Sequence, residues 1–251
     1  MESSTIMIKK SKKSKEALDS KLADQYKMHE HGEHIYELPD TYIGSIEETE
    51  EELWIINENE KMIKEKIKFI PGLYKIVDEI AVNALDQAQR LRIIAQNDYN
   101  NTGKTNVHLV KTIKINVNKE NNTISVFNDG EGIDIALHPE HKIYIPSMIF
   151  GELLTSTNYN KNEKKITGGK NGYGAKLTNI FSKEFIVETV DYKRKKKFVQ
   201  KYENNMKIKN EPIISDCKMK PYTIITFKPD LARFGIDKLD SGIINLIKKR
   251  A

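Results

Sequence analysis

The stretch LYKIVDEIAVNALDQAQRLRII, residues 73–94, constrains the fold more than any other part of the chain. Its apolar residues Leu73, Ile76, Val77, Ile80 and Ala84 recur at helical intervals, so the spacing predicts a helix with one buried stripe. On the same helix Glu79, Asn83, Asp86 and Arg90 fall at i, i+4, i+7 and i+11, a polar line within about 40° that reads as lying opposite the apolar one. Two readings of that line are open. A solvent-facing helix shows such polarity for solubility alone. A carboxylate, an amide, a second carboxylate and one arginine also form a set suited to water activation, metal coordination and phosphate contact.

Strand patterns surround this helix. LWIINENEKMIKEKIKFIPG reads as a hairpin ending at Pro71-Gly72, and TIKINVNKENNTISVFNDGEG alternates as two strands about a turn at residues 119–122. EFIVETVDYKRKKKFVQKYENN and YTIITFKP complete an antiparallel sheet, while DSGIINLIKKRA reads as a last helix. IYIPSMIFGELL predicts a short helix starting after Pro146, and the polar, Asn-rich residues 96–106 predict a long loop. Residues 1–25 have the composition of a basic flexible arm, with order expected from about Tyr26 to residue 251.

Composition narrows the class. The 251 residues are 38% hydrophobic and 31% charged, with no apolar run long enough to span a bilayer, so no membrane partner is expected. The N-terminus lacks the apolar core of a secretory signal, and Cys217 is the sole cysteine, which leaves no disulfide framework or cysteine-based zinc site. The net charge of +5 is concentrated in lysines 9–15 and in residues 193–197. Each block could meet an anionic partner, although a solvated tail and a solvated turn are the favoured readings of isolated charge runs. His138 with His141 has no further obvious ligand, so surface polarity is favoured there too.

Two glycine-bearing motifs follow the helix in sequence. FNDGEGI places Asn128 at a strand end before Gly130 and Gly132, where a planar ligand could approach the backbone closely; alone it is an ordinary hairpin turn. TGGKNGYGAKL, residues 167–177, has the glycine interval of a phosphate-binding loop, but Ala175 displaces Lys176 and Leu177 stands where a magnesium-binding hydroxyl would be. Its glycines free several N–H groups to face an anion, and Lys176 adds a point charge.

The order E-x-x-x-N-x-x-D, then N-D-G-x-G, then G-x-x-G-x-G-x-K resembles the three boxes of the GHKL ATPases, which include type II topoisomerases, mismatch-repair proteins, heat-shock chaperones and sensor histidine kinases. LPDTYIGS, FIPGLYKIVDEIAVNA, IYIPSMIFGELLTSTNY and TGGKNGYGAKLTNIFSKEF resemble the ATPase region of eukaryotic-type DNA topoisomerases II more specifically. This resemblance implies an α+β, two-layer GHKL (Bergerat) sandwich with a mixed, mostly antiparallel sheet and helices on one face. It implies ATP as ligand with magnesium, double-stranded DNA as partner, a homodimer formed through the N-terminal strap, and a location in the nucleus or a viral factory.

The resemblance also implies roles. Glu79 would be the general base and Asn83 the magnesium ligand, with Asp86 buttressing the pocket and Arg90 near the lid. Asn128 would hold the adenine edge, supported by Thr223, in a base pocket lined by Ile133, Ile149 and Phe150. Ser156, Thr157 and Asn158 would meet ribose and phosphates. The lid, Gly169, Lys170, Asn171, Gly172, Tyr173, Gly174, Ala175 and the catalytic Lys176, would wrap the triphosphate, and Tyr26 would reach the partner subunit's nucleotide. Gln87 departs from the family's usual second asparagine, which bears on phosphate geometry. Two other readings stand beside this one. A mismatch-repair or chaperone relative would keep the three boxes but lack PDTYIGS and IYIPSMIFG, and a scaffold that closes on ATP without turnover would not need Glu79.

Overall fold

Alternation along three strands fixes where the core sits. In β4 (Thr123–Asn128) Ile124, Val126 and Asn128 are buried; in β9 (Tyr222–Pro229) Thr223, Ile225 and Phe227; in β5 (Ser182–Asp191) Phe185, Val187 and Thr189. With side chains alternating between faces, each strand therefore turns one apolar row inward. The computed structural model describes residues 31–153 and 173–251. These strands belong to a seven-stranded sheet ordered β3-β4-β9-β5-β6-β7, with β3 (Ile113–Asn118), β6 (Lys196–Glu203) and β7 (Ile208–Lys209), while β8 (Ile213–Asp216) pairs with β6. Every described pairing is antiparallel. β1 (Thr49–Ile56) and β2 (Met62–Phe69) form the separate hairpin expected before Pro71.

The chain divides into two compact units, residues 1–34 and 35–251. Helix α1 (His31–Glu37) carries the only described residues of the first unit, so the basic arm 1–25, Tyr26 and the start of order near it lie outside the described residues. The second unit continues with α2 (Pro39–Tyr42) and, after the hairpin, α3 (Pro71–Thr102).

The 32-residue α3 starts at Pro71 with no side-chain cap. Losing a cap costs about 1 kcal/mol. Burial of Leu73, Ile76, Val77, Ile80 and Leu91 outweighs this, at about 1.5–3 kcal/mol for each fully buried large aliphatic side chain. The expected loop at 96–106 is corrected over most of its length: the helix runs on to Thr102 and stops at Gly103, whose φ of 70° gives the left-handed C-terminal cap. Within those turns Gln96 donates to Asn100 Oδ1 at 3.0 Å and Thr102 Oγ1 to the Asp98 carbonyl at 2.8 Å, so polar side chains that favour loops are spent on the helix itself.

The described residues form three further helices, α4 (Ile145–Gly151), α5 (Gly174–Ile180) and α6 (Ser241–Arg250). Pro146 lies inside the first turn of α4, which starts at Ile145, two residues earlier than the start after Pro146 that the sequence suggested. α3 and α5 pack on each other and on the inner face of the sheet, whereas α6 covers the β1-β2 hairpin, with Leu246 beside Ile55, Ile67 and Phe69. The result is an α+β two-layer sandwich.

Candidate nucleotide site

The inward rows of three neighbouring strands end in polar residues at one level. Asn128 pairs with Thr223 across β4 and β9, and Thr223 pairs with Thr189 across β9 and β5. All three side chains are buried on the face that otherwise carries the apolar core. Thr189 Oγ1 lies 2.9 Å from Thr223 Oγ1 and accepts the Ile133 N–H at 2.9 Å. Asn128 Oδ1 is buried without a hydrogen-bond partner, and leaving such an acceptor unmet costs about 1–3 kcal/mol. A buried polar patch that ends an apolar row and presents an unmet acceptor suits the edge of a planar, N–H-bearing ring.

The loop after Asn128 is shaped for close approach. A Cβ at Gly130 would lie 2.4 Å from Val110 Cγ2, and one at Gly132 would lie 2.0 Å from the Val190 carbonyl oxygen, so no side chain fits at either position. Asp129 Oδ1 accepts the N–H groups of Lys111 and Thr112 at 2.7 and 2.8 Å, which pins the loop to the segment before β3. Burial would raise the Asp129 carboxyl, but these backbone donors hold it below the usual carboxylate range.

On α3 the polar line lies at the margin of the buried stripe rather than opposite it. Glu79 is half-buried, with Oε1 paired to Lys75 at 2.5 Å and Oε2 against Gly174. Asn83 and Arg90 are exposed, and Arg90 donates to Gln87 Oε1. Gln87 in turn donates to the Glu131 carbonyl at 3.0 Å, so the residue that departs from the family pattern secures the glycine loop. Asp86 is placed elsewhere, on the wall of a separate cavity of about 550 Å³ that Leu85, Arg92, Lys111 and Arg250 also line.

The remaining candidates divide in three. Ile133 meets the pocket through its N–H, and Ile149 packs at the edge of the core. Phe150 is buried with its ring 6.1 Å from Phe185, and its carbonyl accepts from Asn179, so its side chain belongs to the core. Gly174, Ala175 and Lys176 start α5 instead of ending the lid loop, with Tyr173 as its N-cap. Lys176 is 1% exposed, and burial pushes its ammonium down to about 8 against the opposing pull of Glu152. Ser156, Thr157, Asn158, Gly169, Lys170, Asn171 and Gly172 lie outside the described residues.

Two favoured sequence readings, a solvated turn and surface polarity, stand and gain partners. The basic run at 193–197 is largely neutralised within the fold: Lys193 pairs with Glu131 at 3.1 Å, Arg194 with Asp191 at 2.8 Å and with Asp134, Lys196 with Asp216 at 2.6 Å and Lys197 with Glu188 at 3.0 Å. His138 and His141 do have a companion, Glu140, the ligand atoms of the three lying within 4.8 Å of one another. However, His138 Nδ1 accepts the N–H groups of Glu140 and His141 at 3.3 Å, so the trio serves as the cap of a turn. Thr189 and Asp191 were not legible as site residues. The one available signal was the alternation of FIVETV, which puts Thr189 on the buried row.

Comparison with known proteins agrees with this geometry. The family of histidine kinase-, DNA gyrase B-, and HSP90-like ATPases matches residues 70–233. The DNA topoisomerase 2 of Acanthamoeba polyphaga mimivirus is 48% identical over 234 residues, covering 91% of this chain and 17% of that protein. The ATPase region of Saccharomyces cerevisiae topoisomerase II matches with a TM-score of 0.79 at 48% identity, over 90% of this chain and 56% of that one. The 43K ATPase domain of Thermus thermophilus gyrase B, 20% identical with a TM-score of 0.56 over 86% of this chain and 43% of that one, shares the fold. The chain thus spans a small part of the curated relative and about half of the solved yeast region. Since the matched span holds Glu79, Asn83, the Asn128 loop and Thr223, the chain belongs to the histidine kinase-, DNA gyrase B- and HSP90-like ATPase family.

Proposed function

We propose that this chain is the ATP-binding and hydrolysing N-gate domain of a type II DNA topoisomerase. The observation that carries the nucleotide assignment is the buried, partnerless Asn128 Oδ1 beside Thr223, on a loop whose glycines let it pack closely against Val110 and Val190. The 48% identity to topoisomerase 2 sequences supports the wider role, in which ATP-driven closure of a homodimer captures a DNA duplex for passage. Tyr26, in the strap, would reach the partner's nucleotide. Such a protein would work where its DNA is kept, in a nucleus or a viral factory.

In this reading Asn128 accepts the adenine amino N–H, and the Thr223 hydroxyl supports the same edge. Glu79 takes the proton of the water that attacks the γ-phosphorus; the bond to the bridging oxygen breaks, and ADP and phosphate leave. Gly174 leaves room for Oε2, where a side chain would displace it. Magnesium, when bound, neutralises charge on the phosphate oxygens; the exposed Asn83 amide, one turn from Glu79, would hold it. Lys176 and the lid N–H groups add positive potential where charge grows on the γ-phosphate. Ser156, Thr157, Asn158 and the lid from Gly169 would complete the triphosphate contacts.

A calorimetric titration with a non-hydrolysable ATP analogue, with and without magnesium, tests the assignment. Magnesium-dependent binding that loses its metal dependence in Asn83→Ala is expected. Absence of binding both in this chain and in a longer one that includes the following domain would overturn it.

A further inference from the structure

The turn between β5 and β6 was read from sequence as a basic surface, yet its side chains point their charge at the loop that follows Asn128. Asp191 is 4% exposed; its Oδ2 accepts the Ile135 N–H at 2.9 Å and the Arg194 guanidinium at 2.8 Å, while its Oδ1 accepts the Arg194 N–H at 3.0 Å. Arg194 also reaches Asp134. One turn position earlier, the Tyr192 hydroxyl donates to Glu131 Oε1 at 3.1 Å and Lys193 Nζ to Glu131 Oε2 at 3.1 Å. The strand end joins in, since Thr189 Oγ1 receives the Ile133 N–H and the Val190 carbonyl closes on Gly132. Positions 131 to 135 are thus each tied to residues 189–194.

We propose that Asp191 and Arg194 are positioning residues for base recognition: through Ile135 and Asp134 they set the loop that faces the nucleobase, and so tune affinity and preference for adenine. This rests on the nucleotide reading above. The chemistry is specific to a charged pair. A buried carboxylate that holds a backbone N–H fixes that N–H in direction, and the guanidinium both neutralises it and extends the hold to a second loop residue. A loop released at these points keeps the Asn128 side chain but loses the backbone frame around it. The base would suffer more than the phosphates, which are bound from α3 and the lid.

The test is titration of ADP and GDP, separately, into the wild-type chain, Asp191→Asn and Arg194→Gln, with thermal unfolding of each. Arg194 is partly exposed, so its variant carries the test should Asp191→Asn fail to fold. We expect ADP affinity to fall on the order of tenfold and the preference for ADP over GDP to shrink, as charged hydrogen-bond partners are lost. Lower stability with an unchanged ADP-to-GDP ratio would make the turn a brace only and overturn the inference. A wild-type chain that binds neither nucleotide would instead remove the nucleotide reading itself, and this inference with it.

Discussion

A Cβ placed on Gly174 would lie 1.9 Å from Glu79 Oε2, so the first residue of α5 and the carboxylate on α3 fit together only because one of them has no side chain. Gly174→Ala is therefore a displacement experiment. Alanine is the better helix former by about 1 kcal/mol, so α5 should persist. Glu79 must move, and loss of a positioned base costs about 10²- to 10⁴-fold in rate. We expect ATP turnover to drop by about a hundredfold or more while nucleotide affinity stays within a few-fold. Steady-state hydrolysis beside calorimetric affinity measures both, and normal turnover in this variant would detach the contact from catalysis.

Glu79→Gln keeps the shape of the side chain and removes its basicity. Turnover should be lost with binding retained. Combined with Gly174→Ala it should cost no more than the larger of the two single losses, because both remove the same function. Additive losses in that double-mutant cycle would mean that the two residues act separately.

Asn128→Ala should weaken binding itself. Removing the acceptor from a buried edge costs about 1–3 kcal/mol, or roughly five- to 150-fold in affinity. Asn128→Asp keeps an oxygen acceptor and should retain most of that affinity. Equal losses in the two variants, read by titration with a non-hydrolysable analogue, would count against an accepting role.

How far the site was legible depended on the distance over which its signal acts. The apolar stripe of α3 and the alternation of β4 and β9 are local periodicities, and Leu73, Ile76, Val77, Ile80 and Ala84 are all buried. Residues 96–102 misled because Asn and Asp favour turns by bonding their own backbone, whereas Gly103 sets the stop. The polar line on α3 was legible as a line but not in its placement: Glu79 meets α5, while Asp86 faces a different cavity. The lysines and arginine of 193–197 have most of their partners, Glu131, Asp134 and Asp216, far away in sequence, and nothing in a charge run reveals a counter-charge brought by folding.

Asp230 gives a test of the fold rather than the site. It is 1% exposed, and its Oδ2 accepts the Tyr36 hydroxyl at 2.8 Å, Asn205 Nδ2 at 3.0 Å and Lys183 Nζ at 2.8 Å. Burial works to raise its carboxyl, but these donors prevail and hold it below the ordinary carboxylate range. A depressed native value stabilises the fold above the unfolded pKa, and that stability is lost as pH falls through the native one. Asp230→Ala should cost about 1–2 kcal/mol at neutral pH, by leaving the half-buried Tyr36 and Asn205 donors without their acceptor, and should flatten the acid limb of stability. Denaturant titrations between neutral and acid pH decide it.

Lys176 should link pH to both binding and stability, with opposite signs. Burial lowers its ammonium from 10.5 to about 8. In the unliganded chain the buried charge is a penalty below pH 8, and the penalty is relieved as the native state releases the proton that the unfolded chain keeps up to 10.5. Stability should therefore rise over that interval relative to Lys176→Met. A triphosphate reverses the preference, because it favours the charged lysine and raises its pKa in the complex. Binding above pH 8 then takes up one proton, so affinity should fall about tenfold per pH unit until the bound-state pKa is reached. In Lys176→Met both slopes should vanish together. Calorimetry in buffers of different ionisation enthalpy counts the proton directly. No uptake at pH 9, with wild-type affinity independent of pH, would place Lys176 outside the phosphate site.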